Sequence, residues 1–169
     1  MMCRWMSVSL RQAVADASRP EVSPQVIQTI RAIYDALAAD TAAQKPRCDA
    51  SGRCCNFDAF GHRLYVTTME LAAFVDQLPA SPPRQPPTPT RLRLLNLPRA
   101  CPYQVDRLCS VHAIRPFGCR VFFCDPTATA WQHDRYEYYH AQLRAAHARL
   151  DIAYFYLEWR QALNDLGLK

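Results

Sequence analysis

Seven cysteines fall into three groups in the middle of a 169-residue chain that contains eight. They are Cys48-x5-Cys54-Cys55, Cys101-x7-Cys109 and Cys119-x4-Cys124. Thiolates bind soft metal ions strongly, and donors close in sequence lower the entropic cost of assembling a site. One thiol by itself reads as a small buried hydrophobe. Seven in one region point to metal binding, through Cys48, Cys54, Cys55, Cys101, Cys109, Cys119 and Cys124. Metal binding would then tie together three separate segments and contribute folding energy to them. Cys3 stands apart and reads as a non-ligand.

The adjacent pair sets a geometric condition. On extended backbone Cys54 and Cys55 point to opposite sides and would not easily share one small site. Seven thiols also exceed the four that saturate one zinc ion or one four-iron cluster. Two sites and one polynuclear site both follow from this count.

The succession Cys48, Gly52, Cys54, Cys55, then Cys101 and Pro102, then Cys109, His112, Arg115, Pro116, Cys119, Arg120 and Cys124 resembles the YkgJ-type cysteine-cluster family, also described as a zinc- or iron-chelating domain. The resemblance spans residues 48–125, and its most specific part is CSVHAIRPFGCRVFFC. It implies zinc or an iron–sulfur cluster as cofactor and implies no settled reaction. Some relatives are linked to methyl transfer, but this chain shows no glycine-rich methyl-donor motif. It also departs from the family pattern at Ser51, where a cysteine is usual. Either the site has an open position, which a reactive metal needs, or a redundant ligand has been lost.

Arg115 and Arg120 flank Cys119. Guanidinium groups there would offset the negative charge of a thiolate centre and donate hydrogen bonds to sulfur. The other reading has Arg115 capping a turn or pairing with Asp106 or Asp125. Pro116 would set the turn that aims Cys119 inward. His112 suits a packing or hydrogen-bonding role better than ligation, because Tyr is tolerated at its place in the family. Asp125 is an optional hard ligand. His133, Glu137 and His140 share one helical face and read as an exposed polar surface. The Glu137-x2-His140 spacing would suit a di-iron site only with a second copy, which is missing.

The expected fold class is mainly α: helices around an irregular, cysteine-rich metal-binding core of residues 48–125, with one or two short β-hairpins. Helical segments at 8–44 and 128–166 flank that core in a single domain spanning residues 1–169. Pro20 and Pro24 divide the first segment. Ser23 is placed to cap a second helix, with Pro24 at its first position and Val26, Ile27, Ile30, Ile33, Tyr34 and Leu37 on its apolar face. Residues 56–66 look irregular or extended, with Leu64–Val66 as a short strand. Thr67 and Glu70 form a capping box for a helix ending near Leu78. The stretch from Pro79 to Thr90 is a proline-rich loop, and Leu92–Leu97 reads as a strand. CPYQVDRLC reads as a tight hairpin. The last segment carries Tyr136, Tyr139, Leu143, Ala146, Leu150, Tyr154 and Leu157 on one face, bent near Asp151, and Gly167 is its stop.

Composition narrows the function. Half the residues are hydrophobic and the net charge of +5 is scattered, which excludes a disordered chain and gives no nucleic-acid face. No apolar run reaches membrane-spanning length and MMCRWMSVSLRQ lacks a signal-peptide pattern, so the expectation is a cytoplasmic protein with reduced thiols and no membrane partner. A metal-binding protein with a redox or electron-transfer role is the first reading. A structural zinc module acting as a protein-interaction adaptor is the alternative, and a metal-dependent enzyme is the third. No nucleophile–base pair, phosphate loop or dinucleotide fingerprint stands out, and the scattered residues Ser51 and His62 do not form one.

Overall fold

The computed structural model describes residues 8–80, 82 and 100–168. Cys3, most of the proline-rich loop and the expected strand at Leu92–Leu97 lie outside the described residues. The chain is mainly helical with two small antiparallel sheets.

Helix α1 spans Leu10–Ala17, with the Ser9 hydroxyl accepting from Gln12 N–H. Helix α2 spans Ser23–Gln44 and ends at Lys45, which adopts left-handed backbone before Pro46. Its cap is Val22, one residue earlier than expected, and no side-chain cap bond is made there. Val26, Ile30, Ile33 and Leu37 form its buried stripe. Segment 56–66 contains a short helix, α3 (Phe57–Phe60), where irregular chain was expected.

Strand β1 (Tyr65–Thr67) leads directly into α4 (Thr68–Gln77). The capping box is present: Glu70 Oε2 accepts from Thr67 N–H and from the Thr67 hydroxyl, each at 3.0 Å. Strands β2 (Gln104–Val105) and β3 (Leu108–Cys109) make the expected hairpin. Its two loop residues, Asp106 and Arg107, both have positive φ, as a two-residue turn matching strand twist requires. Helix α5 (Phe117–Val121) carries Cys119.

The C-terminal segment departs from one bent helix. Helix α6 (Thr129–Arg149) stops, strand β4 (Tyr156–Glu158) follows, and α7 (Trp159–Leu166) ends at Gly167. The stop is a paired-bond cap: Ile152 N–H reaches His147 O at 3.1 Å and Asp151 N–H reaches Ala148 O, with Asp151 left-handed at φ 51°. The usual glycine signal is absent because Asp151 occupies the left-handed position. β4 then pairs antiparallel with β1, in register Tyr65 to Glu158 and Thr67 to Tyr156. This second sheet joins strands from distant parts of the chain, so only one of the sheets is a hairpin.

The core lies between α1, α2, α4, α6 and α7 and includes Leu37, Met69, Leu71, Phe74, Leu143, Trp159 and Leu163. Polar groups inside it are paired. Asp40 on α2 accepts from Tyr139 hydroxyl at 2.8 Å and from Arg135 at 3.2 Å, both on α6. His147 is 2% exposed; its Nε2 accepts from Met69 N–H and its Nδ1–H donates to Ile152 O. Burial holds this imidazole low, at about 4.

Candidate metal centre

Cys54 and Cys55 lie in a 3₁₀ turn, Arg53–Cys55, entered through Gly52 at φ +73°. Successive side chains on such a turn diverge by about 120° rather than 180°. The opposite-sides expectation for extended backbone therefore does not apply, and each of the two thiols acts on the other's titration. Cys109, from the β2–β3 hairpin, acts on Cys55 as well. Cys101 and Cys119 are close enough that the charges of Cys54 and Cys109 act on both. Five of the seven thiols, from three chain segments, thus converge.

Backbone contacts explain how. Gln104 Nε2 donates to Gly52 O at 2.8 Å, which docks the 48–55 loop on the hairpin. A Cβ on Gly52 would lie 2.5 Å from Arg107 O and from Gln104 Nε2, so the hairpin approaches as closely as a glycine allows. Cys101 N–H donates to Cys55 O at 2.7 Å. Cys119 N–H donates to Pro116 O at 3.0 Å, so Pro116 starts the turn that carries this thiol. Trp159, from α7, donates its indole N–H to Cys101 Sγ at 3.3 Å.

The thiols divide electrostatically. Cys55 holds its proton far above the ordinary thiol range, through the neighbouring Cys109 and Cys54 thiols and through burial. Cys54 is lowered to about 6 and Cys109 to about 7, first by the neighbouring Cys55 thiol and with help from Arg115. Burial pushes Cys101 up to about 11 and Cys119 well upward. Cys54 and Cys109 are thus the thiols that lose a proton most readily, beside the Arg115 guanidinium. Low-pKa thiols are the form that binds thiophilic cations. Among the described residues, however, no group of three or more His, Cys, Asp or Glu side chains is already set out to hold a metal ion.

Cys48 and Cys124 are placed differently. Cys48 is exposed. Cys124 Sγ meets the Ser51 hydroxyl at 3.9 Å, so the residue that departs from the family pattern contacts this thiol. Arg47 N–H donates to Asp125 Oδ2 at 3.0 Å, which ties the chain before Cys48 to the chain after Cys124. Asp125 also accepts from Thr127 N–H and hydroxyl. These hydrogen bonds depress its carboxyl and occupy both oxygens.

The arginines brace the loop before Cys119. Arg115 donates to Cys119 O, His112 O and His112 Nε2, not to Asp106 or Asp125. Arg120 donates to Arg115 O and Ala113 O and lies 4.2 Å over the Tyr34 ring. His112 is a hydrogen-bond acceptor for Arg115, and its imidazole is held low by burial and by both guanidinium groups. His140 is not an exposed polar residue: it stacks on Tyr156 at 4.6 Å and reaches the Tyr154 hydroxyl at 2.7 Å. The signal for this was the aromatic alternation of Tyr154 and Tyr156.

Trp159 has no signal in the sequence, because its role depends on a contact across 58 residues. His62, considered in the sequence only beside Ser51, is stacked on Phe122 and faces Cys54 O through Nε2 at 3.2 Å. Comparisons with protein-family models, curated proteins and solved structures found no match, so the likeness to the cysteine-cluster family rests on the motif residues alone.

Proposed function

We propose that this chain is a metal-binding protein in which Cys54, Cys55, Cys101, Cys109 and Cys119 supply the principal thiolate centre, holding zinc or an iron–sulfur cluster. The observation that carries the reading is that thiols from the 48–55 loop, the β2–β3 hairpin and α5 lie near enough to act on one another's titration, with the 48–55 loop docked on the hairpin by the Gln104–Gly52 hydrogen bond. The motif resemblance supports it independently. When bound, zinc would supply cross-linking of the three segments, and a cluster would add one-electron chemistry. Arg115 offsets the charge of the thiolates, and Trp159 donates to the Cys101 sulfur. Cys48 and Cys124 stand as accessory ligands, brought near one another in the chain by the Arg47–Asp125 hydrogen bond.

A redox or electron-transfer role follows if the centre is a cluster, and a structural role with an adaptor surface follows if it is zinc. Protein purified without oxygen separates the two. Brown protein whose visible absorption bleaches with dithionite carries a cluster; colourless protein with stoichiometric zinc is the structural form. Cys109→Ala and Cys119→Ala are each expected to lower metal content, whereas Cys3→Ala leaves it unchanged. Full metal loading in Cys109→Ala and Cys119→Ala, or no bound metal in the anaerobic wild type, removes the reading.

A further inference from the structure

A cavity of about 310 Å³ lies against the sulfur cluster, with Cys54 and Cys119 in its wall. Its size is at the lower end of the roughly 300–1,000 Å³ typical of small-molecule sites. Its sides are apolar and partly aromatic: Phe57, Leu64, Val121 and Phe122 line it. The His62 ring lies nearly parallel to Phe122, 4.7 Å away at 14°, and meets Phe57 edge-on at 5.4 Å. These stacked rings give one wall a flat aromatic face. A planar ring is the ligand shape that such a face favours.

Among the described residues, Arg63 is the one permanently charged side chain in the cavity lining, where the Cys54 thiol is the acidic group. His133 also lines the cavity, and none of its lining residues is Asp or Glu. Among the described residues no carboxylate forms an ion pair with Arg63. An exposed guanidinium beside an apolar slot is a ready partner for a carboxylate. We propose that this cavity binds a small aromatic carboxylate, with the ring between the apolar walls beside Cys54 and Cys119 and the carboxylate at Arg63. The inference deepens the thiolate-centre reading, because it places an organic ligand next to two of that centre's sulfurs.

The test is titration of the full chain, metal-loaded and metal-stripped, with phenylacetate, benzyl alcohol and benzylamine, followed by calorimetry and by NMR shifts of the Phe57, His62 and Phe122 rings. Phenylacetate is expected to saturate, to shift those rings, and to bind about tenfold more tightly than benzyl alcohol, with benzylamine weaker still. Arg63→Gln is expected to bring phenylacetate to the level of benzyl alcohol, and Thr129→Trp, which adds an indole to the cavity lining, to remove both. Equal affinity for the three probes, or full phenylacetate affinity in Arg63→Gln, overturns the proposal. Ring-specific, Arg63-dependent binding by a protein that takes up no metal would keep the cavity assignment and remove the thiolate centre, so the two failures are told apart.

Discussion

Glu70 Oε1 accepts the backbone N–H of Phe117 at 2.9 Å, joining the first turn of α4 to the first residue of α5. The same carboxylate takes the Tyr34 hydroxyl and both donors of Thr67. One buried side chain thus serves an N-terminal helix cap, a tyrosine on α2 and the short helix that carries Cys119. Glu70→Gln replaces one acceptor oxygen with a donor and must leave at least one N–H or O–H unpaired. The expected loss is about 1–3 kcal/mol of stability, with amide exchange rising at Phe117 and Cys119. Burial raises the Glu70 carboxyl above 4.5, so the folded state holds this proton longer than the unfolded chain. Its contribution is complete below that value and is lost as pH rises through the folded pKa. Chemical denaturation across pH 4–8 is expected to show that fall in wild type and not in Glu70→Gln.

His147 gives the opposite slope. Its folded imidazole titrates at about 4, against an ordinary 6.5, because burial disfavours the charged ring. The neutral form is the one bonded at both nitrogens. Its contribution is present above pH 6.5 and is lost as pH falls toward 4, by on the order of 3 kcal/mol. The stability difference between wild type and His147→Gln is therefore expected to shrink on acidification through that window. A constant difference would mean that the ring is not held neutral by the fold.

Gly52 and Gly61 both have positive φ, and they separate strain from collision. A Cβ on Gly61 meets open space, whereas one on Gly52 meets Arg107 O and Gln104 Nε2 at 2.5 Å. Gly61→Ala is expected to cost about 1 kcal/mol from backbone strain alone. Gly52→Ala is expected to cost more, to free the 48–55 loop from the hairpin, and to lower metal content where Gly61→Ala does not. Thermal melts and metal analysis of both variants check this.

Cys54 is the thiol prepared to react. In metal-free protein its alkylation by iodoacetamide, mapped by mass spectrometry, is expected to follow a midpoint near pH 6, while Cys55 stays unlabelled at neutral pH. Cys55→Ala removes the neighbouring thiol that is the largest cause of the depression, so the midpoint is expected to move up. Arg115→Gln is expected to move it up by less. Zinc is expected to protect Cys54. An unchanged midpoint in Cys55→Ala would show that the Cys55 thiol does not govern this group.

The features legible in residue order alone are local ones. The Thr67–Glu70 box, the Asp106–Arg107 turn, the left-handed stop at Gly167 and the apolar stripe of α2 each depend on residues within a few positions. Their conformations follow from nearby hydrogen bonds and sterics, which spacing encodes. The end of α6 was local too, but Asp151 in place of glycine hid it. Tertiary structure decided the rest. β4 exists because β1 offers it an edge some ninety residues away in sequence. The Cys54–Cys55 turn meets the β2–β3 hairpin because Gly52 is pressed against it, and Arg47 and Asp125 join the flanks of Cys48 and Cys124 to each other. Residue types state which groups can bind an ion; only long-range packing sets which sulfurs meet, since no spacing rule encodes contacts between separate segments.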